Sequence, residues 1–247
     1  MSAIIDREEI LKSLDQGTGQ GVKVGLLDTG VDEDHEDLQG KIEASYELVE
    51  SGGKYECRVV KGSDQVGHGT ACAAIIKSIA PDAEIHSVKV IGANSKGSSA
   101  GLVAGMNWCV REGMNIINAS LGTLERRSRE SISDAVDEAI LNGVVVVAAA
   151  NNGGFTAYPA NLSSVISVDN EAMPDPLKIR YRLGTPIELQ AHGIYVEAPS
   201  PGGGHKFYTG TSFACPHASA IVARLLSVYP DLQPFEVRSL MWHLGKE

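Results

Sequence analysis

Apolar runs of strand length alternate along this chain with segments of helical periodicity. The run at 144–150 is the clearest strand, because consecutive apolar residues rich in valine are typical of a strand buried on both faces. The alternation predicts an α/β fold, a three-layer α/β/α architecture around a mainly parallel, doubly wound sheet. The predicted strands are 22–28, 84–90, 115–121, 144–150 and 165–168, and the predicted helices are 70–79, 98–112 and 131–142.

Local signals mark the ends of several predicted elements. Gly113 and Gly143 follow two of the helices, as glycine caps do, and Ser131 with Asp134 three residues later resembles a capping arrangement at a helix start. The three glycines at 202–204 lack the strand-to-helix context of a phosphate loop, so they favour a loose hairpin.

Polar side chains lie at the predicted carboxyl ends of three strands, where sheets of this kind bind their ligands. These side chains are Asp28, Ser120 and Asn152. His68 and Ser212 instead open predicted helices, whose N-terminal partial positive charge favours an oxyanion. Pro216 is predicted to lie in the first turn of the helix that Ser212 opens, where a missing N–H costs little.

An aspartate, a histidine and a serine in this chain order have the functional groups for nucleophilic acyl transfer. A serine hydroxyl is a poor nucleophile at its own pKa, so an imidazole must take its proton and a carboxylate must fix the tautomer of that imidazole. The amide of Asn152 can donate to a developing oxyanion. Taken singly, Asp28 also fits a turn, His68 a core histidine and Ser212 a helix N-cap.

Taken together, these segments resemble the subtilisin-like serine proteases, or subtilases, from about residue 22 to about residue 229. The similar segments are Leu-Leu-Asp28-Thr-Gly, Gly-His68-Gly-Thr, Asn152 after the valine run, and Gly-Thr-Ser212-Phe-Ala. The order Asp, His, Ser separates this family from others that use the same three residue types. The resemblance implies that Ser212 is the nucleophile, His68 its general base and Asp28 the residue that orients His68. Asn152 and the Ser212 N–H would bind the oxyanion.

The resemblance also implies a set of peptide-binding residues. Two backbone segments would clamp an extended peptide, and their residues are Ser95, Lys96, Gly97, Ser120, Leu121 and Gly122. Gly153 and Ala157 would line the primary specificity pocket and carry no charge, so an apolar substrate side chain is expected there. The bond between Tyr158 and Pro159 matches a site that often has a cis peptide in the family.

A basic segment follows the second clamp segment. Its arginines would favour an acidic residue beside the scissile bond, whereas the simpler interpretation is a solvated loop. They are Arg126, Arg127 and Arg129.

The sequence departs from the family in two places. The predicted helix after His68 continues almost directly into the next strand, without the calcium-binding insertion of many subtilases, and Asp37 alone cannot supply the six to eight oxygens that calcium prefers. We therefore expect no metal and no other cofactor. Cys72 lies four residues after His68, as in the thiol-bearing branch of the family, and a structural role beneath the imidazole is expected for it.

Composition limits the other classes of function. The chain has 247 residues and a net charge of −10, with 21 basic against 31 acidic residues, which argues against nucleic acid as a partner. No apolar run is long enough for a membrane span. The four cysteines show no disulfide framework and the start shows no export signal, so we expect a cytoplasmic protein. We expect residues 1–247 to form a single peptidase domain, excerpted from a longer protein.

The sequence thus favours a cytoplasmic serine endopeptidase that acts on peptide or protein substrates. Two alternatives stay open: a maturation protease or peptide ligase that works on a precursor peptide, and an inactive protease fold that binds peptides. The sequence leaves the oligomeric state undetermined.

Overall fold

A computed structural model describes residues 7–92 and 96–246. Its main sheet has nine strands in the order β3-β2-β4-β1-β5-β6-β7-β9-β8, and β10 and β11 form a separate hairpin. The strands are β1 (Lys23–Asp28), β2 (Ile42–Ser51), β3 (Lys54–Val60), β4 (Glu84–Lys89), β5 (Ile116–Ala119), β6 (Val145–Ala149), β7 (Ile166–Glu171), β8 (Arg180–Tyr181), β9 (Leu189–His192), β10 (Val196–Pro199) and β11 (His205–Tyr208). The helices are α1 (Arg7–Gln16), α2 (His68–Ile79), α3 (Ser99–Arg111), α4 (Arg129–Leu141), α5 (Thr211–Val228) and α6 (Pro234–Gly245), with a short 3₁₀ turn at Arg126–Ser128.

The central sheet is parallel except at its two edges. Every neighbouring pair from β2 across to β9 is parallel, whereas β3 and β8 pair antiparallel with β2 and β9. This is the three-layer α/β/α arrangement that the sequence predicts. Among the described residues, no helix combines the length and the apolar character that crossing a membrane requires.

The sheet separates two apolar cores, because successive side chains of a strand point to opposite faces. In β6, Val145 and Val147 pack with α2 and α5 on one face, whereas Val146 and Ala148 pack with α3 and α4 on the other. A strand that is buried on both faces must be apolar at every position, which explains the continuous valine run.

Several predicted element boundaries are confirmed. Gly113 and Gly143 have φ angles of +69° and +76° just after α3 and α4, the left-handed conformation in which glycine is favoured. The glycines at 202–204 connect β10 to β11 in an antiparallel hairpin. The predicted cap at Ser131 is wrong, because α4 begins at Arg129 and the Ser131 hydroxyl donates to the carbonyl of Ser128.

Pro216 also lies elsewhere than predicted. It is the sixth residue of α5, not part of the first turn, so the carbonyl of Ser212 has no N–H partner four residues later. The thiol of Cys72 approaches that carbonyl at the functional site.

Candidate functional site

The fold brings Asp28 and His68 into direct contact. Asp28 is the last residue of β1 and His68 the first of α2, and the Asp28 Oδ1 atom lies 2.7 Å from His68 Nδ1. The Asp28 side chain is 1% exposed and that of His68 is 26% exposed, so the carboxylate is shielded while the imidazole still faces solvent. The backbone N–H of Thr29 donates to the same Asp28 oxygen at 2.8 Å. A buried carboxylate held in this way fixes the orientation of the ring.

Close packing explains the glycine after His68. A side chain at Gly69 would collide with the carbonyl oxygen of Gly30 and approach Cβ of Asp28. Only glycine lets α2 begin this close to the end of β1.

Opposing effects act on the pKa of His68. Burial lowers this pKa, and the neighbouring Cys72 and Asp28 raise it by more, so the net pKa lies above its usual value. Burial raises the pKa of the Cys72 thiol, which is therefore uncharged near neutrality. The charge that favours imidazolium is thus that of Asp28, and we expect the neutral, basic form of His68 to increase as the pH rises.

Cys72 lies beneath His68 and also contacts the residue proposed as nucleophile. Its Sγ atom is 3.9 Å from His68 Nδ1 and donates to the carbonyl oxygen of Ser212 at 3.4 Å. This carbonyl is the one that Pro216 leaves without a helical donor, so the thiol supplies a partner at that point. Cys72 therefore links the start of α2 to the start of α5.

Phe213 packs against the imidazole of His68. Its ring centre lies 5.2 Å from that of His68 and 4.6 Å from that of Tyr208. The Tyr208 hydroxyl donates to the carbonyl of Pro199, which anchors this aromatic stack to the β10–β11 hairpin. The motif around Ser212 contains Phe213, but sequence analysis did not identify this packing role.

The side chain of Asn152 is held from one end. Its Oδ1 atom accepts from the backbone N–H of Thr211 at 3.0 Å and lies 3.2 Å from the Thr211 hydroxyl, which also donates to the carbonyl of Ala150 at 2.6 Å. Since Oδ1 is occupied, the NH₂ group is the end that can donate to a ligand. Ser212 follows Thr211 at the start of α5, so its N–H is among those without an acceptor inside the helix.

Part of the predicted peptide clamp lines one cavity of about 640 Å³. The clamp residues in its wall are Gly97, Leu121 and Gly122. Lys96 and Ser120 are not in this wall: Ser120 is buried and accepts from the amide of Asn118, while the carbonyl of Lys96 accepts from the N–H of Gly92. Ser95 lies outside the described residues.

Gly153 and Ala157 also lie outside that cavity wall. Gly153 is exposed and donates its N–H to Oδ1 of Asn151, whereas Ala157 is buried at 4% exposure. The following Tyr158–Pro159 peptide bond is cis, and Tyr158 pairs with Thr123 in an antiparallel bridge. This bridge ties the Ala157 loop to the segment that begins with Ser120.

The basic segment is partly neutralised. Arg127 forms an ion pair with Glu125, and both side chains line the cavity. Glu125 also accepts from the hydroxyls of Ser128 and Ser99. The hydrogen bonds from Ser128, Arg127 and Ser99, in that order, lower its pKa. The cavity wall therefore contains this exposed ion pair, and Arg126 and Arg129 are not among the residues that line it.

The residues at the family's calcium position do not fit that ion. Asp37 Oδ2 lies 2.7 Å from Nε2 of His205, an imidazole nitrogen, whereas calcium prefers a shell of oxygens. Only four residues, 80–83, connect α2 to β4. The absence of a bound metal stays a prediction.

The chain is similar to known proteins over most of its length. A model of the Subtilase family, Peptidase_S8, matches residues 19–244. Subtilisin DY from Bacillus licheniformis is 32% identical over 236 residues, which span 90% of this chain and 82% of that protein. Alkaline elastase YaB from Bacillus sp. strain YaB is 30% identical over 233 residues, which span 90% of this chain and 58% of that protein.

Solved structures show the same likeness. The crystal structure of a cold adapted subtilisin-like serine proteinase matches with a TM-score of 0.76 and 28% identity over 90% of this chain and 81% of that one. S41 psychrophilic protease matches with a TM-score of 0.77 and 25% identity over 91% of this chain and 83% of that one.

Proposed function

The chain belongs to the subtilase family of serine endopeptidases, and we propose that it cleaves peptide bonds through an acyl-enzyme formed on Ser212. One observation carries the proposal: Asp28 Oδ1 lies 2.7 Å from His68 Nδ1, and the helix that His68 opens packs against the helix of Ser212. When Nδ1 of neutral His68 donates to Asp28, its Nε2 is left as the base.

The proposed reaction has two halves. Oγ of Ser212 attacks the carbonyl carbon of the scissile bond while Nε2 of His68 takes the hydroxyl proton. The tetrahedral intermediate collapses as His68 gives this proton to the leaving amine, which breaks the C–N bond and leaves an ester on Ser212. Water, activated by His68, then hydrolyses the ester and restores the serine.

The negative charge of each intermediate would be bound by two donors. The NH₂ group of Asn152 is one, because its oxygen is already engaged by Thr211, and the Ser212 N–H at the start of α5 is the other. Donors that are fixed before reaction lower the barrier without the cost of reorienting solvent.

An extended peptide is the proposed substrate. Gly97 and Gly122 expose backbone at the cavity, and hydrogen bonds to peptide backbone give affinity without requiring one side chain. Val90, Leu102 and Leu121 supply apolar wall, which suits an aliphatic or aromatic substrate side chain. Location in the cytoplasm stays a prediction, and the four free thiols support it.

The test compares two serines of the same helix. We expect Ser212→Ala to lose all labelling by a fluorophosphonate and all cleavage of a denatured protein substrate. Ser227→Ala is the matched control, because Ser227 is also in α5 but its hydroxyl donates to the carbonyl of Arg224 and accepts from the N–H of Gly19. Full activity in Ser212→Ala would exclude the proposed nucleophile.

Product masses separate the alternatives. Hydrolysis adds one water to each cleaved bond, whereas a ligase captures the acyl group with an amine and forms a new amide. A peptide-binding module with an inactive site would bind substrate and leave Ser212 unlabelled by the fluorophosphonate.

A further inference from the structure

Asp64 accepts a dense set of hydrogen bonds just before α2. Its Oδ1 accepts from the N–H groups of Val66 at 3.0 Å and Gly67 at 2.8 Å, and its Oδ2 accepts from the N–H and the hydroxyl of Thr70 at 3.0 and 2.8 Å. The residue that precedes the helix, Gly67, has no side chain with which to cap it. The Asp64 carboxylate therefore pairs donors at the start of the helix that His68 opens.

The same carboxylate reaches the other member of the catalytic pair through Thr29. The Thr29 hydroxyl donates to Asp64 Oδ1 at 2.9 Å and accepts from the N–H of Gly69 at 3.0 Å. The Thr29 N–H donates to Asp28 Oδ1, the atom that lies 2.7 Å from His68 Nδ1. Asp64 and Thr29 thus join the end of β1 to the start of α2.

We propose that Asp64 is a positioning residue, which holds Asp28 and His68 at hydrogen-bond distance by tying their two backbone segments to one carboxylate. It does not touch the reacting atoms, and its effect on catalysis rests on the function proposed above. Both carboxylate oxygens accept, and their five donors come from four residues on two segments of the chain. A residue that only capped α2 would accept only from donors at the start of that helix. Asp64 also accepts from the hydroxyl of Thr29, the residue that follows Asp28.

In this role, both carboxylate oxygens of Asp64 must accept hydrogen bonds. In Asp64→Asn one oxygen becomes an NH₂ donor, which must face either Thr70 or the group formed by Thr29, Val66 and Gly67. Either choice places donors against donors, so the two segments shift relative to each other. A small displacement of catalytic groups lowers the rate without removing any of them, by up to about 100-fold for a shift near 1 Å.

The experiment measures catalysis and the Asp28–His68 hydrogen bond separately. We expect Asp64→Asn to lower kcat by about 10- to 100-fold with KM changed less than about twofold. The proton on Nδ1 of His68 should give a far-downfield ¹H NMR signal, which we expect to shift upfield or broaden in Asp64→Asn. Asp175→Asn is the matched control, because Asp175 accepts from the N–H of Leu177 in an exposed turn and should change neither readout.

A second variant covers the case in which Asp64→Asn does not fold. Thr29→Val keeps the size of a buried side chain but removes the link from Asp64 to Gly69, so we expect the same two changes at a smaller amplitude. Normal kcat and an unmoved His68 signal in a folded Asp64→Asn protein would overturn the proposal, as would a loss of stability alone. Because the NMR signal can be recorded in Ser212→Ala, the positioning role is tested even if the proposed peptidase function fails.

Discussion

The region around Asp28 and His68 and the region around the peptide cavity differ in how their polar groups are held. The Asp28 carboxylate is buried, and the loops beside it are tied by Thr29 and Asp64. At the cavity, Leu124 is half-exposed and Arg127 is 84% exposed, with its charge paired to Glu125. We infer that the fold holds the proposed catalytic residues rigidly, whereas the exposed charges at the cavity contribute little energy each.

Removal of the buried charge of Asp28 should have the greatest effect on catalysis. We expect Asp28→Asn to lower kcat by about 10⁴-fold, because an amide no longer holds the Nδ1–H tautomer of His68. Loss of the anion also removes one of the two neighbours that raise the pKa of His68, so the rising limb of kcat/KM against pH should move to lower pH.

Asp169→Asn controls for the loss of an aspartate, since Asp169 is half-buried in β7 and pairs with Arg182. Its pH profile should match that of the wild type. A limb that stays in place in Asp28→Asn would show that another group sets the pKa of His68.

The second prediction concerns the oxyanion donor. We expect Asn152→Leu to lower kcat by about 10²- to 10³-fold and to leave KM nearly unchanged, because the donor acts on charge that is present only in the transition state. Steady-state kinetics on a short peptide would measure both constants. Asn151→Ala is the neighbouring control, since Asn151 accepts from Gly153 and contacts neither Thr211 nor Ser212 in any described hydrogen bond. A change in KM alone would assign Asn152 to substrate binding.

The third prediction tests the thiol that joins α2 to α5. We expect mercurials to inhibit the enzyme and Cys72→Ala to resist them, because mercury on Sγ would displace His68 and the carbonyl of Ser212. Without mercury, Cys72→Ala should lose at most about fivefold in kcat, the equivalent of one weak hydrogen bond near 1 kcal/mol. Cys215 is the control thiol, since it is as buried as Cys72 but its Sγ atom donates to Oδ1 of Asn118 and not to His68 or Ser212. Equal inhibition of Cys72→Ala and wild type would move the mercury site to another cysteine.

Sequence alone predicted the parallel sheet, because strands that are buried on both faces must be apolar. The pairing of Asp28 with His68 was implied by the resemblance to the subtilases and not by the strand pattern, since His68 opens a helix. The sequence did not predict β2 or β3, whose residues are mostly half-buried or exposed and mix polar with apolar types, so they lack the continuous apolar run of a buried strand. It also missed Asp64, since an acidic residue in a loop has many ordinary roles. The prediction that Pro216 lies in the first turn of its helix was wrong, because α5 begins at Thr211 and the proline is its sixth residue.

Substrate specificity is the property that the sequence predicts least well. The three arginines of the basic segment suggested a preference for acidic substrate residues, but the chain order does not reveal that Arg127 pairs with Glu125. Sequence reasoning finds residue types that chemistry needs, whereas the net charge at a cavity depends on which side chains meet in space.

A weaker effect is expected at the ion pair in the cavity wall. Because Glu125 holds Arg127, we expect wild type to prefer an acidic residue near the scissile bond only weakly, and Glu125→Gln to strengthen that preference a few-fold by freeing the cation. An exposed pair contributes about 0.2–1 kcal/mol, so the gain should fade at high ionic strength. A peptide library profiled at low and high salt would measure it. In the double variant Glu125→Gln with Arg127→Ser the gain should vanish, and a gain that persists there would come from Arg126 or Arg129. Identical profiles for wild type and Glu125→Gln at low salt would show that this ion pair lies outside the path of the substrate.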